Sequence, residues 1–235
     1  MIVAVSDRMV TAGDDIEFEQ PQPKVFEIGT TAAALIYGDI PIQSAVAFTV
    51  NRLLHLRPLA DMNDIAKLYA KEYGKLFHEH AEAALLRPVG LSRGDLLSPA
   101  AGIAPYVSDR LVRQMQTYEL DSGGGAILIG ANQQGGVHMY QIEDPGVATC
   151  ADSIGYAIGG IGAWHAESQF TFARYTKQWP LAEALFLAYK AKRRAEVAPG
   201  VGKETDVILI TSTAPPARLH FVDVVTAQGA GRRPP

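Results

Sequence analysis

Apolar and polar positions follow two periods along the chain, and the first third has the period of strands. Met1–Ser6 is rich in β-forming residues, and Thr11–Asp15 supplies the Gly and Asp of a turn. Lys24–Ile28 alternates between polar and apolar residues, whereas Thr31–Tyr37 is a continuous apolar run typical of a strand buried on both faces. We therefore predict a small antiparallel meander at the start of the chain.

Helical spacing begins at Pro41, a residue suited to a first helical turn, and continues through the apolar positions from Ile42 to Leu54. A longer helix is predicted from Asp61 to Leu86, with Asp61 or Asn63 as its N-cap. Arg87–Gly102 loses all periodicity and is rich in Pro, Gly and Ser, which predicts a loop. Helical spacing returns over Val107–Leu120.

In the second half of the chain, strands are followed by helices and then by strands again. Ala126–Ala131 and Val137–Ile142 flank Gly135-Gly136, which predicts a hairpin that Tyr156–Ile158 continues. The remaining predicted elements are two helices and two closing strands: Ala163–Thr176, Leu181–Val197, Val207–Thr211 and Leu219–Val225.

The helices come in consecutive pairs and do not alternate with strands, which argues against a doubly wound parallel sheet. We predict an α+β fold in which two antiparallel sheets stack face to face and a helix pair covers each outer side. This arrangement is a four-layer αββα sandwich. We expect one domain over residues 1–227 and a disordered tail of Gly, Arg and Pro over residues 228–235.

Composition narrows the classes of partner. The 235 residues carry a formal charge of −4, and the pI near 5.9 gives no basic footprint for nucleic acid or anionic lipid. No signal-peptide pattern and no membrane-spanning apolar run occurs, so we expect a cytoplasmic protein with no membrane partner. The single cysteine, Cys150, fits a reducing compartment and is expected to be a small buried apolar residue. Lys192-Arg193-Arg194 is expected to be a solvated helix face and not a phosphate site.

Three other motifs could be interpreted as binding sites. His78-Glu79-His80 with Glu82 lacks the HExxH spacing and a third ligand, so a polar helix face is favoured over a metal site. Gly159–Gly162 lacks the βαβ context of a dinucleotide turn. Trp164-His165 is expected to pack at a helix start. We therefore expect no metal and no cofactor.

The order of the short motifs resembles that of the proteasome β-subunits and related bacterial peptidase subunits, which are N-terminal nucleophile hydrolases. The matching motifs, over about residues 1–211, are Ser6-Asp7-Arg8, Thr11-Ala12-Gly13, Pro23-Lys24-Val25-Phe26, Tyr37-Gly38-Asp39, the hairpin Ala126–Gly130 with Val137–Ile142, and the turn Ala157–Ala163. The resemblance implies the same αββα fold. It also identifies residues 87–122 as an insertion, interpreted as an extra helix and loop or as a segment that modifies ring contacts or covers an entrance.

The resemblance implies hydrolysis of a peptide or amide substrate by an N-terminal Thr, whose hydroxyl attacks the carbonyl. Matched residue by residue, Asp7 holds Lys24, Lys24 acts beside the nucleophile's amine, and the Gly38 N–H donates to the oxyanion. The family assembles into rings or spirals, so a homo-oligomer is implied. An ATPase partner is left unspecified.

Two departures keep alternatives open. The chain starts at the strand that ends in Asp7, so neither the family's first strand nor an N-terminal Thr is present in it. The turn Gly160–Ala163 offers no hydroxyl, and Glu204 and Asp206 are only candidates for the final supporting acid. The alternatives are therefore a small-molecule amidase of the same fold and a non-catalytic structural subunit of a proteasome-like assembly.

Overall fold

A computed structural model describes residues 1–12, 16–59, 61–98, 102–118, 124–132, 135–210 and 219–223. The strands within these residues are β1 (Ile2–Ser6), β2 (Met9–Ala12), β3 (Ile16–Glu19), β4 (Val25–Ile28), β5 (Ala32–Gly38), β6 (Gly124–Ala131), β7 (Val137–Glu143), β8 (Val147–Cys150), β9 (Asp206–Ile210) and β10 (Leu219–Asp223). The helices are α1 (Ile40–Leu56), α2 (Met62–Leu85), α3 (Arg93–Leu97), α4 (Pro105–Gln116), α5 (Ala163–Ala173) and α6 (Leu181–Ala195). A short 3₁₀ helix spans Arg87–Val89.

The largest sheet has five antiparallel strands in the order β4-β5-β6-β7-β8. Its strand β5 is buried on both faces, because Ala32, Ala34 and Ile36 belong to a core shared with α1 and α2, while Ala33 and Leu35 belong to another core. The prediction that this continuous apolar run is a strand buried on both faces is therefore confirmed.

A three-stranded antiparallel sheet has the order β1-β9-β10, and β2 with β3 forms a separate two-stranded ribbon. Ala4, Ile208 and Ile210 of the three-stranded sheet join a buried cluster with Leu35 and Ile129 of the larger sheet. The helix α6 packs against β1. The two sheets thus pack against each other through this apolar cluster.

Local capping explains where the first two helices begin. The Asp39 side chain accepts a hydrogen bond from the Ile42 N–H at 3.0 Å, and Pro41 occupies the first turn of α1. Asp61 accepts from the Asn63 N–H at 2.7 Å, so Asp61 is the N-cap of α2 and the Asn63 alternative is wrong. Both helices bury one apolar stripe against the five-stranded sheet.

The α+β class is confirmed, and most predicted elements are present with small changes at their ends. The prediction that Tyr156–Ile158 continues the sheet is wrong, because these residues have irregular structure. Tyr156 instead stacks on Phe170 with ring centroids 4.8 Å apart, so its apolar character serves an aromatic cluster.

Three short strands are present where the sequence pattern predicted a turn or no element. Thr11 belongs to β2 rather than to a turn, and β3 and β8 are strands that the pattern did not indicate. β3 is exposed along its length and β8 lies at a sheet edge, so neither has the apolar run of a buried strand. The predicted loop 87–102 contains the 3₁₀ helix and α3, which a Ser92–Asp95 capping box begins.

Some predictions fall partly or wholly outside the described residues: the tail 228–235, parts of the segment 87–122, and the turn residues after Ala12. Within the part that is described, none of the helices combines the length and apolar character needed to cross a bilayer.

The fold yields a prediction about Gly74, which lies inside α2 against the turn that follows β7. A Cβ on Gly74 would lie 2.7 Å from the Pro145 carbonyl oxygen, a backbone atom that has little freedom to move. Alanine inside a helix normally stabilises relative to glycine, but Gly74→Ala is expected to lower the free energy of unfolding by about 1–3 kcal/mol through overpacking. Urea denaturation measures this change.

The matched control is Gly94→Ala in α3, where the added Cβ would make ordinary contact with the Ser92 hydroxyl at 3.5 Å. We expect this variant to be neutral or to stabilise by up to about 1 kcal/mol. Equal effects of the two substitutions would contradict the tight contact between α2 and the Pro145 turn.

Candidate active site

Asp7 and Lys24, which the sequence places in separate segments, meet at the ends of two strands. Asp7 follows β1, Lys24 precedes β4, and the Lys24 Nζ donates to Asp7 Oδ1 at 3.0 Å. The same carboxylate oxygen accepts the Met9 N–H at 2.6 Å. The Asp7 side chain is 20% exposed and the Lys24 side chain 11%, so water competes only partly for this ion pair. The pair is therefore a fixed feature and not a freely solvated surface contact.

Gly38 lies at the same end of the five-stranded sheet as Lys24. The Ile36 N–H donates to the Lys24 carbonyl at 3.0 Å, which places Lys24 beside the last residues of β5. Gly38 ends β5 with φ of 78°, in the left-handed region that favours glycine, and Asp39 then caps α1. The exposed backbone of Gly38 is thus next to the positive end of a 17-residue helix.

Arg8 and Asp206 form a second charged pair next to Asp7, which sequence reasoning missed. Arg8 donates to both oxygens of Asp206, from Nε at 2.9 Å and from Nη2 at 2.6 Å, and Nη1 reaches the Pro21 carbonyl at 3.0 Å. Asp206 begins β9 and is buried. Through Arg8, β9 is connected to the segment before β4. Asp206 hydrogen-bonds to Arg8, and it makes no hydrogen bond to Lys24 in the described structure.

The turn Gly159–Gly162 packs against the ring of Tyr37, the residue before Gly38. A Cβ on Gly159 would overlap the Tyr37 ring, and one on Gly160 would lie 3.4 Å from Tyr37 Cβ. The Tyr37 hydroxyl donates to Glu143 Oε1 at 3.4 Å, and burial followed by the Glu143 charge raises the pKa of Tyr37 above its usual value. The Gly-rich motif is thus held next to the end of β5.

The loop 198–203 approaches β2 and the Gly-rich turn. A Cβ on Gly200 would lie 3.4 Å from the Thr11 hydroxyl and 3.7 Å from Ile161. The Glu204 N–H donates to Glu19 Oε1 at 2.8 Å, which joins the end of this loop to β3. A Cβ on Gly202 would lie 2.9 Å from Met9 Cβ, so the loop contributes backbone next to the segment that follows Asp7.

The expectation of a fully solvated face at Lys192-Arg193-Arg194 is wrong for Lys192, which is buried. Its Nζ donates to Glu196 Oε1 at 2.7 Å and to the Lys203 carbonyl at 2.9 Å. Arg193 stays partly exposed and pairs with Glu196 at 2.9 Å. The ammonium of Lys192 thus anchors the loop 198–203 to α6, because a buried charge needs a close partner.

The expectation that Cys150 is buried is wrong, because the residue is exposed at the end of the edge strand β8. Near it, His138 Nδ1 contacts Asp152 Oδ2 at 2.8 Å, and the Met139 N–H donates to Asp152 Oδ1 at 2.8 Å. Desolvation would raise the pKa of Asp152, but hydrogen bonds from His138, the Met139 N–H and Cys150 outweigh it and lower that pKa.

The expected packing of Trp164 and His165 is also wrong, since both residues are exposed at the start of α5. Trp164 is 84% exposed and lies just beyond the Gly-rich turn. Across the described residues, no three side chains of His, Cys, Asp or Glu come together as a metal site, and this applies also to the stretch 78–82.

No family model and no curated protein matches the chain. The site consists of an ammonium held by a carboxylate and of a glycine at the N-terminal end of a helix. The Gly-rich turn packs against the residue before that glycine, and the loop 198–203 packs against β2 and the Gly-rich turn.

This arrangement supplies positive charge and a backbone donor to a developing anion, and Lys24 can exchange a proton with a neighbouring group. Among the described residues, no hydroxyl or thiol hydrogen-bonds to the Lys24 ammonium, and the Ser6 hydroxyl is engaged by the Asp7 carbonyl at 3.1 Å. The described residues thus place no nucleophile in contact with this pair.

The Asp152 hydrogen bonds generate a pH prediction. Because the pKa of Asp152 is lowered on folding, its contribution to stability is present above the unfolded Asp value of about 3.9 and is lost as the pH falls through the folded value. We expect Asp152→Asn to be less stable than the wild type at pH 5–6, with a difference that shrinks towards pH 3. Urea denaturation at each pH measures the difference.

The partner variant His138→Ala removes one donor and leaves the Met139 N–H in place. It should produce a smaller pH-dependent loss than Asp152→Asn. A stability difference that stays constant or widens as the pH falls would contradict this assignment.

Proposed function

We propose that this protein is a proteasome-like N-terminal nucleophile hydrolase subunit that cleaves peptide or amide bonds. The observation that carries the proposal is the 3.0 Å contact between Asp7 and Lys24 at the end of β5 where Gly38 lies. These are the residues to which the motif resemblance assigns the acid, the lysine and the oxyanion donor. Their meeting follows from the fold, because 17 positions separate Asp7 from Lys24 along the chain.

The proposed architecture is the four-layer αββα sandwich. The contacts that support it are those of α1 and α2 with one face of the five-stranded sheet, of the two sheets with each other, and of α6 with β1. In such a sandwich the ends of β1, β4 and β5 open at one rim between the sheets, and the proposed site lies at this rim.

The edge of β1 that is not paired with β9 is the place where we propose that the nucleophile enters. β1 pairs with β9 on one side, and no described strand pairs with its other side. A strand placed before β1 and joined to it by a tight turn would run antiparallel to it. Its first residue would then lie beside Ser6 and Asp7, so a free amino-terminal Thr, Ser or Cys would meet the Lys24 ammonium.

In the proposed reaction the hydroxyl or thiol of that first residue gives its proton to the residue's own free amine and attacks the amide carbonyl. The C–N bond then breaks, the amine of the substrate leaves with that proton, and an acyl-enzyme remains. Water hydrolyses the acyl-enzyme, which releases the carboxylic acid and regenerates the nucleophile. Lys24, held by Asp7, provides the positive charge beside the nucleophile's amine. The Gly38 N–H donates to the oxyanion, a contribution worth about 3–4 kcal/mol where such donors have been removed from other enzymes.

We further propose a cytoplasmic protein that self-assembles into a ring or spiral. The support is the set of large apolar side chains exposed on outer helix faces, namely Phe48, Leu56, Phe172 and Phe186. Association of copies through these side chains would remove apolar surface from water.

A non-catalytic structural subunit is the second candidate. It is favoured by the absence, among the described residues, of a hydroxyl or thiol bonded to Lys24. A test of activity must therefore include a chain that carries the proposed nucleophile.

The experiment uses the chain extended at its N-terminus by about ten residues, enough for a strand and a tight turn, with a Thr exposed by a removable tag. We expect this protein to cleave a fluorogenic peptide and an unfolded polypeptide. Lys24→Ala should lower kcat on the order of 10²- to 10⁴-fold, because a positioned proton-transfer group is lost. Peptide hydrolysis and gel assays measure these changes.

The matched control is Lys71→Ala, which removes an exposed lysine from α2. It should retain full activity. Full activity of Lys24→Ala would overturn the site assignment, and inactivity of every extended chain would favour the structural subunit. Hydrolysis of small amides without polypeptide cleavage would replace the peptidase with an amidase.

A further inference from the structure

We propose that Tyr37 is a positioning residue that sets the distance between Gly38 and the turn Gly159–Gly162. The inference rests on the proposed function of Gly38, but its structural part stands on contacts of Tyr37 alone. Since Tyr37 directly precedes Gly38 on β5, whatever fixes the Tyr37 backbone and ring also fixes the proposed oxyanion donor.

Two backbone positions without side chains lie against the Tyr37 ring and its hydroxyl. A Cβ on Gly159 would overlap the ring, and one on Gly125 would lie 2.5 Å from the Tyr37 hydroxyl oxygen. Gly125 belongs to β6 and pairs with Tyr37 in the sheet. A Cβ on Gly160 would make only ordinary contact with Tyr37 Cβ, at 3.4 Å. The ring therefore fills the space between β6 and Gly159, and a larger residue at Gly159 or Gly125 would displace it.

A hydrogen-bonded bridge holds the start of the same turn. The Gln141 side-chain amide donates to the Ile158 carbonyl at 3.1 Å and to Glu143 Oε1 at 2.8 Å. The Tyr37 hydroxyl reaches the same Glu143 oxygen at 3.4 Å, which is a long contact. The ring thus contributes more than the hydroxyl to holding the turn.

The turn passes this constraint on to the other side of the site. Ile161 lies near Gly200, whose neighbour across the gap is the Thr11 hydroxyl of β2. β2 begins two residues after Asp7, and the Met9 N–H donates to the Asp7 carboxylate. Packing thus runs from Tyr37 through the Gly-rich turn and loop 198–203 to the segment that carries Asp7.

The first test measures amide hydrogen exchange of the 235-residue chain without reference to activity. Tyr37→Ala removes the ring, and Gly159→Ala places a methyl group where the ring lies. Each is expected to accelerate exchange in residues 155–164 by about tenfold or more relative to the rest of the protein, because a local opening becomes easier. Tyr37→Phe keeps the ring and should exchange like the wild type.

The matched control is Tyr69→Ala, which removes a buried tyrosine of α2 and leaves the turn untouched. It should destabilise the whole protein without a selective effect on residues 155–164. Unchanged exchange in this segment for both Tyr37→Ala and Gly159→Ala, or the same pattern for Tyr69→Ala, would overturn the inference.

The second test uses the extended, Thr-initiated chain. Tyr37→Ala should lower kcat on the order of 10²-fold, the effect expected from displacing a positioned group by about 1 Å, with a smaller change in KM. Tyr37→Phe should restore most of the activity. A loss of activity in Tyr37→Phe equal to that in Tyr37→Ala would overturn the positioning role of the ring.

The two readouts separate failure of this inference from failure of the proposed function. An inactive wild-type extended chain would refute the proposed hydrolase, while selective exchange in residues 155–164 would still establish the structural constraint. An active wild type with fully active Tyr37→Ala would refute the positioning role alone.

Discussion

The burial of β5 on both faces is the constraint on which the rest of the structure depends. Residues 32–36 contact the α1–α2 layer on one face and the three-stranded sheet on the other, so each must be apolar and small enough for close packing. This strand leads directly into Gly38 and the N-cap of α1. The same packing that stabilises the core therefore places the end of β5 at a defined point near Lys24.

Charge is then arranged around that point in pairs. Asp7 holds Lys24, Arg8 holds Asp206, and Lys192 holds Glu196 together with the Lys203 carbonyl. The Asp7–Lys24 pair and the contact of Lys192 with the Lys203 carbonyl join loop segments, whereas the Arg8–Asp206 pair reinforces the ladder of β1 and β9, in which Ser6 pairs with Asp206. Removing one partner from such a pair leaves a partly buried charge, which costs more than the pair itself contributes. The pairs therefore specify how loops meet more than they add to stability.

Much of the fold follows from local patterns. The run 31–37, the helical stripe after Pro41 and the acid at Asp61 predict β5, α1 and the cap of α2, because burial and capping leave direct marks in the sequence. The exposed strand β3, the edge strand β8 and the buried Lys192 leave no such marks. Hydrogen-bonded partners decide them: β3 pairs with β2, β8 pairs with β7, and Lys192 contacts Glu196 and the Lys203 carbonyl. The partners are near in sequence, but a pattern of apolar and polar residues does not record such pairing.

The site shows the same division between local and distant information. Motif signals predict roles for Asp7, Lys24 and Gly38, whereas the contacts of Tyr37, Arg8 and Gln141 are known only from the structure, although Arg8 and Tyr37 lie within the same motifs. The glycines of the 159–162 turn illustrate why. At Gly159 the Tyr37 ring occupies the space that a Cβ would take, whereas at Gly162 a Cβ would meet Ala195 of α6 and Val201 of the loop 198–203. These two glycines therefore follow from packing against three separate segments of the chain. No local motif records such packing, and for this reason the role of the turn could not be inferred from its sequence.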